Sequence, residues 1–136
     1  MAVERVFDIA GSALSAGSVR LNTISSNLAN ADTVSATPEE AYRSREPVFA
    51  NVLAGQLGGG SAGVRVLGVV ESLAEPRKEY QPDHPGADAD GYLYYSNVNV
   101  MEQLANLISA SRSYQTNVDV MSTARQLLLK TLELGR

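Results

Sequence analysis

The chain has 136 residues, enough for one modest domain, and no cysteine, which excludes disulfide scaffolds, thiolate zinc sites and cysteine nucleophiles together. Its formal charge is −4, unevenly placed. Residues 1–34 carry three acids and two bases, residues 101–136 carry three acids and four bases, and residues 35–100 hold nine acids against five bases. No basic patch with interleaved aromatics is present, so the composition argues against nucleic-acid binding.

The opening, MAVERVFDIAGSALSAGS, has no cationic stretch followed by an apolar core, so it does not read as a secretory signal peptide. No run approaches the roughly 18 apolar residues that a membrane span needs. What it does show is a rhythm. Phe7, Ala10, Leu14, Gly17, Leu21, Ile24, Leu28 and Ala31 alternate steps of three and four, the spacing of a coiled-coil seam. Small residues alternate with large ones, so Ala10 and Gly17 would admit a close neighbour while Phe7 and Leu21 fill the space around it. Between Ser12 and Ser26 the only charge is Arg20. A helix so poor in charge implies more than one partner, since an isolated surface helix usually keeps an ionic outer face.

The polar cluster Asn27-Leu28-Ala29-Asn30-Ala31-Asp32-Thr33 closes this helix. Short polar side chains can bond the last free carbonyls or tolerate a left-handed residue.

The middle segment changes character. All five prolines (Pro38, Pro47, Pro76, Pro82 and Pro85) lie here, a density that excludes a long helix. Gly63–Glu71 and Tyr92–Tyr95 read as strands by their β-branched and aromatic content, and Tyr42–Phe49 as a shorter third, interrupted by Pro47. Gln56–Gly63 reads as a flexible loop.

Three groups in this segment imitate chemistry. Gly58–Gly63 matches G-x-G-x-x-G, but a strand follows where a dinucleotide site needs a helix N-terminus. Asp88-Ala89-Asp90-Gly91 resembles part of a calcium loop. With Gly91 at position 6, however, positions 1 and 12 are Gly86 and Asn97 instead of acids, so a solvated turn is the better reading. His84, the single histidine, lies in Pro82-Asp83-His84-Pro85 with no nucleophile at a defined spacing, and is expected to be exposed. No catalytic residue, cofactor site or metal site is expected.

The second helix announces itself with Asn99 and Glu102, a capping-box arrangement, and its stop with Lys130 and Gly135. Its seam is read as Leu107, Ser111, Tyr114, Val118, Met121, Arg125, Leu128 and Leu132, with Ala110, Ala124, Leu127, Leu129 and Leu134 widening the apolar surface. Two helices packed on each other cannot cover both of these wide faces. Exposed patches of that kind mark assembly surfaces.

The fold expected is therefore mainly α: terminal helices over 1–34 and 98–136 packed as a coiled coil, with a small β-rich and loop insertion over 35–97. The contact residues expected are Phe7, Leu14, Leu21, Leu28, Asn27, Asn30, Tyr114, Val118, Met121, Leu128 and Leu132.

Asn27–Thr33 resembles the N-L-A-N-A-x-T signature of flagellar axial proteins, which are rod, hook and hook-associated subunits. Phe7–Leu14, Arg20-Leu21-Asn22, Tyr42-Arg43, Gly91-Tyr92, Asn97-Val98-Asn99, Ser109–Val118 and Leu129–Gly135 narrow the resemblance to the FlgC family of proximal-rod subunits. It spans nearly the whole chain and is strongest at the two ends. Ser96 departs from it where that family often has proline, a change expected to loosen the turn into the second helix.

The resemblance implies a non-enzymatic subunit of the basal-body rod. It would leave the cell through the flagellar type III export apparatus without a cleaved signal, and assemble in the periplasm. Its implied partners are copies of itself, other rod proteins, and components of the MS ring and export gate. Its implied task is to transmit torque to the hook. The competing reading from the same residues is a cytoplasmic coiled-coil adaptor or export chaperone.

Overall fold

The computed structural model describes residues 2–53 and 62–135. Helix α1 (Ala2–Ala29) and helix α2 (Val100–Leu134) enclose strands β1 (Val34–Ser35), β2 (Arg45–Leu53), β3 (Ala62–Glu71), β4 (Arg77–Tyr80) and β5 (Tyr92–Tyr95) in the sequence. The chain divides into two units. The first comprises Met1–Leu21, Pro47–Gly68 and Ser109–Arg136, and the second Asn22–Glu46 and Val69–Ile108.

The helix boundaries follow the local chemistry. Asn99 Oδ1 accepts the Glu102 N–H at 3.3 Å, and the Asn99 carbonyl takes Gln103 N–H at 3.0 Å, so the asparagine caps α2 as its position predicts. At the far end the Gly135 N–H reaches Thr131 O at 3.1 Å. Helix α1 closes by the first of the two means its sequence offers, a short polar side chain on a free carbonyl. Asn30 covers the Ser26 carbonyl twice, with its backbone N–H at 3.1 Å and its Nδ2 at 2.8 Å, and Ala31 tightens the turn with a bond to Leu28 O at 3.3 Å. No left-handed residue is used: among the described residues the only positive φ belongs to Gly91.

Inside the second unit, β1, β5 and β4 form an antiparallel sheet in that order, with Val34 opposite Tyr95, and Arg77 to Tyr80 opposite Tyr95 to Tyr92. Alternation puts Lys78, Tyr80, Tyr92 and Tyr94 on one face. There the Lys78 ammonium lies 4.1 Å from the Tyr92 ring centroid, and the Tyr80 and Tyr92 rings meet edge to face at 5.1 Å. The opposite face carries Leu93, which is completely buried and anchors this unit. Its turn is set by Asp88, whose Oδ1 accepts the N–H groups of Asp90 (3.0 Å) and Tyr92 (2.8 Å). Gly91 completes the turn at φ 85°, and a Cβ there would stand 2.9 Å from the Tyr80 ring and 3.0 Å from Pro82.

Strands β2 and β3 form a separate two-stranded sheet. Both of its strands are edges, which is why Pro47, lacking an N–H, is tolerated inside β2. The three strands expected from sequence are thus present, with β2 displaced toward the C-terminus of its predicted span. The short β1 and β4 lacked a sequence signal. The loop expected over Gln56–Gly63 lies largely outside the described residues, and with it most of the Gly58–Gly63 run. What is described after the glycines is strand, as that reading required.

Candidate assembly interface

In α1, burial follows the predicted line. Ala10 and Ile24 are buried, Ala31 just beyond the helix is buried too, and Phe7, Leu14, Gly17, Leu21 and Leu28 are half-buried. A second line, Ala13, Ala16, Arg20, Thr23, Asn27 and Asn30, is covered as well, so the shielded face of α1 is two rows wide. In α2 the covered line runs Gln103, Leu107, Ala110, Tyr114, Asn117, Met121, Ala124 and Leu128. It shares Leu107, Tyr114, Met121 and Leu128 with the sequence seam. The alternate positions of that seam, Ser111, Val118, Arg125 and Leu132, stand one residue away on an exposed row. Leucine content drew the seam toward Leu132, whereas the covered row uses small and polar residues that carry little hydrophobic signal.

The first unit has an inverted size distribution. Among its described residues the buried side chains are four alanines, Ala10, Ala16, Ala110 and Ala124. Val120, Leu127, Leu129, Leu132 and Leu134 point outward, Leu132 at 60% and Leu134 at 88% exposure. Close approach explains the alanines. A Cβ on Gly17 would lie 3.2 Å from the Tyr114 ring, so the two helices meet there nearly backbone to side chain. Toward their outer ends an apolar groove of about 400 Å³ is lined by Ala2, Val3 and Val6 of α1 and Val120, Ala124 and Leu127 of α2. Within this unit β3 meets α1 at Ser12, whose hydroxyl donates to Ile9 O at 2.8 Å and accepts the Val64 N–H at 3.0 Å. Phe49 and Leu67 on that sheet are exposed.

The second unit is held by polar side chains. Asn27 is 1% exposed, with both ends of its amide in use. Nδ2 donates to Arg45 O at 2.8 Å and to Gln103 Oε1 at 3.2 Å, while Oδ1 accepts Tyr42 Oη–H and the Arg45 N–H, each at 2.9 Å. Tyr42 Oη also lies 3.1 Å from Ser26 Oγ. Asn97 grips the neighbouring residue: its Oδ1 accepts the Ser44 N–H at 2.6 Å, and its Nδ2 donates to Ala74 O at 2.8 Å and Ser72 O at 3.4 Å. The segment 42–45 is therefore clasped by two asparagines. Ser96, far from loosening the turn, is buried and donates its hydroxyl to Ala31 O at 2.6 Å. Every buried side-chain polar atom among the described residues has a partner.

Asn27 was singled out as a contact residue, and the structure places it in the interior of its own chain. The signals that could have found its role are Tyr42-Arg43 at the entry to the middle segment and Gln103, a polar residue on an otherwise small or apolar row.

No group of three or more potential metal-ligating side chains occurs among the described residues. Asp88-Ala89-Asp90-Gly91 is the turn described above. His84 is half-buried and not exposed as expected, because its Nδ1 accepts the Gly86 N–H at 2.9 Å within its own loop. No described helix is long and apolar enough to cross a membrane.

Residues 7–37 match the family described as flagella basal body rod protein, and residues 89–134 match the flagellar basal body rod FlgEFG protein C-terminal family. The flagellar basal-body rod protein FlgC of Yersinia enterocolitica is 48% identical over 136 residues, covering 100% of both chains. That of Salmonella typhimurium is 47% identical over 137 residues with the same coverage. The Bacillus subtilis protein of that name is 35% identical over 143 residues, 95% of each chain.

Proposed function

The chain belongs to the flagellar basal-body rod protein family, and from that premise we propose that it is laid into the proximal rod as a helically repeating subunit joined to its neighbours by its terminal helices. It is a structural subunit of the flagellar basal body and not an enzyme. The single observation that carries the helical-assembly reading is the exposure of Leu127, Leu129, Leu132 and Leu134 on a helix whose most buried residues are Gln103, Ala110 and Ala124. A monomer gains nothing from that arrangement, and a lattice of neighbours covers it.

In this reading the two helices pack as a coiled coil in the tubular wall, and the segment 35–97 lies outside it. Phe7, Leu14, Leu21, Leu28, Tyr114, Val118, Met121, Leu128 and Leu132 supply contacts within the chain and between copies. A head-to-tail contact that does not close gives a tube and not a ring. The partners are copies of this chain, other rod proteins, and the MS-ring and export-gate components at the rod's base. The chain reaches them through the flagellar type III export apparatus, with its ends unordered until neighbours arrive. The finished rod transmits torque to the hook.

The test is deletion of the gene in its flagellated host, followed by electron cryotomography of the basal body. Rings without rod, hook or filament, restored by the intact gene, are the expected outcome. A complete flagellum in the deletion strain, with no second copy of the gene, would overturn the reading and favour the cytoplasmic adaptor.

A further inference from the structure

The two units differ in what could keep them folded before any neighbour is present. The fully buried side chains of the first unit are alanines among its described residues, and its larger apolar side chains, Phe7, Leu14, Leu21, Tyr114, Met121 and Leu128, are only partly covered, so no large apolar side chain there is fully withdrawn from water to oppose the entropy of ordering its helical turns. The second buries Ile24, Ala31, Ala41 and Leu93, together with five satisfied polar side chains. The boundary between them runs through both helices: 22–29 of α1 and 100–108 of α2 belong to the second unit.

The inner turns are also where the clasp attaches. Asn27 on α1 bonds Gln103 on α2 as well as Tyr42 and the Arg45 backbone. Asn97, two residues ahead of the α2 cap, holds Ser44, Ser72 and Ala74. Ser96 ties the approach to α2 back to Ala31 at the end of α1. Each stub is thus fastened by side chains that need nothing outside their own unit.

We propose that this asparagine clasp keeps a stub of each terminal helix folded in the unassembled chain, so that the outer turns are completed by propagation from the stub when a neighbour docks. Starting a helix fixes several residues for one hydrogen bond, with a nucleation factor of about 10⁻³, whereas adding a residue to an existing helix is close to neutral. A pre-formed stub therefore removes the slow and improbable step from assembly. It also sets the register in which the alanine rows meet. The inference rests on the rod reading only for the identity of the neighbour.

Hydrogen exchange of the full-length monomer, followed by mass spectrometry, tests it. Amides in 22–29 and 100–108 are expected to exchange at least about 100-fold more slowly than the unstructured rate, and those in 2–21 and 109–134 within about tenfold of it. Equal protection of inner and outer turns, whether high or low, overturns the proposal. Asn27→Ala and Asn97→Ala should each lower protection of both stubs, while Leu132→Ser, outside the second unit, should leave it unchanged. Stubs that stay protected in both asparagine variants would remove the clasp from the explanation. These readouts come from the monomer, so they fail or succeed independently of the deletion phenotype.

Discussion

Replacing Asn27 by alanine probes the most connected side chain among those described. The substitution removes four hydrogen bonds of 2.8 to 3.2 Å from a site that is 1% exposed. Their loss is unequal. The Tyr42 hydroxyl retains Ser26 Oγ at 3.1 Å, whereas the Arg45 N–H, the Arg45 carbonyl and Gln103 Oε1 each lose the Asn27 partner. Three polar groups at about 1–1.5 kcal/mol each give a destabilisation of about 3–5 kcal/mol, a large part of the 5–15 kcal/mol typical of a folded domain. Urea unfolding of the purified monomer measures it. The chain has no tryptophan, so the intrinsic fluorescence comes from its six tyrosines. Far-UV dichroism supplies the second probe. The midpoint should fall with little change of slope. A destabilisation below about 1 kcal/mol would refute the reasoning, because it would mean that water or a local shift satisfies all three groups. Asn27→Asp refines the test. It keeps the acceptor for Tyr42 and the Arg45 N–H, but turns a second carboxylate oxygen toward two other acceptors. Burial among acceptors raises the folded-state pKa of such a carboxyl. This variant should therefore be most stable at pH below the ordinary carboxylate range and lose stability as pH rises through the elevated value.

Gly91→Ala places a side chain at φ 85° and 2.9 Å from the Tyr80 ring, so it should cost about 1–3 kcal/mol; an unchanged thermal midpoint would show that the turn relaxes freely. Leu93→Ala empties the one completely buried large apolar position among the described residues and should cost about 2–5 kcal/mol in the same urea titration. Leu21→Asp and Leu128→Asp should abolish motility in complementation assays while the exported chain remains soluble. Normal swarming in either strain would count strongly against the helical seams as contacts. Gly17→Val, with its first side-chain carbon only 3.2 Å from Tyr114 before relaxation, should force the helices apart and reduce swarming without abolishing export.

Much of this architecture was legible from the chain alone, for identifiable reasons. The α1 row from Phe7 to Ala31 obeyed its period because every member is apolar or small, and Asn99 marked the start of α2 because capping is a local interaction. In α2 the hydrophobic seam and the row covered within the chain differ by one residue at alternate positions. Leucines at 127, 129, 132 and 134 outweigh Gln103, Ala110, Asn117 and Ala124 in any hydrophobic count, yet the latter are the ones covered. The clasp was illegible because its partners are distant in sequence: Asn27 meets a residue 18 positions on and another 76 positions on. A helix-end asparagine looks the same whether it caps its own helix, as Asn30 does, or reaches across the fold.

The phase difference and the clasp have one physical origin. A chain designed to stand alone puts its large apolar residues on the inner row and polar ones outside, and hydrophobic periodicity then finds the core. Here small and polar residues (Ala10, Ala16, Gln103, Ala110 and Ala124) take the most buried places of the inner rows, between partly covered Phe7, Leu14, Tyr114 and Met121, which lets two helices approach closely but withdraws few large side chains fully from water. The leucines at 127, 129, 132 and 134 leave a larger apolar area uncovered. Such a chain needs some other source of order where it must be ordered alone. Directional hydrogen bonds from Asn27, Asn97 and Ser96 supply that order without adding exposed apolar surface. An adaptor dimer would invert this economy, burying Leu127, Leu129 and Leu132 in a single closed seam. Displaying them over several rows of α2 suits a subunit that meets different neighbours on different sides.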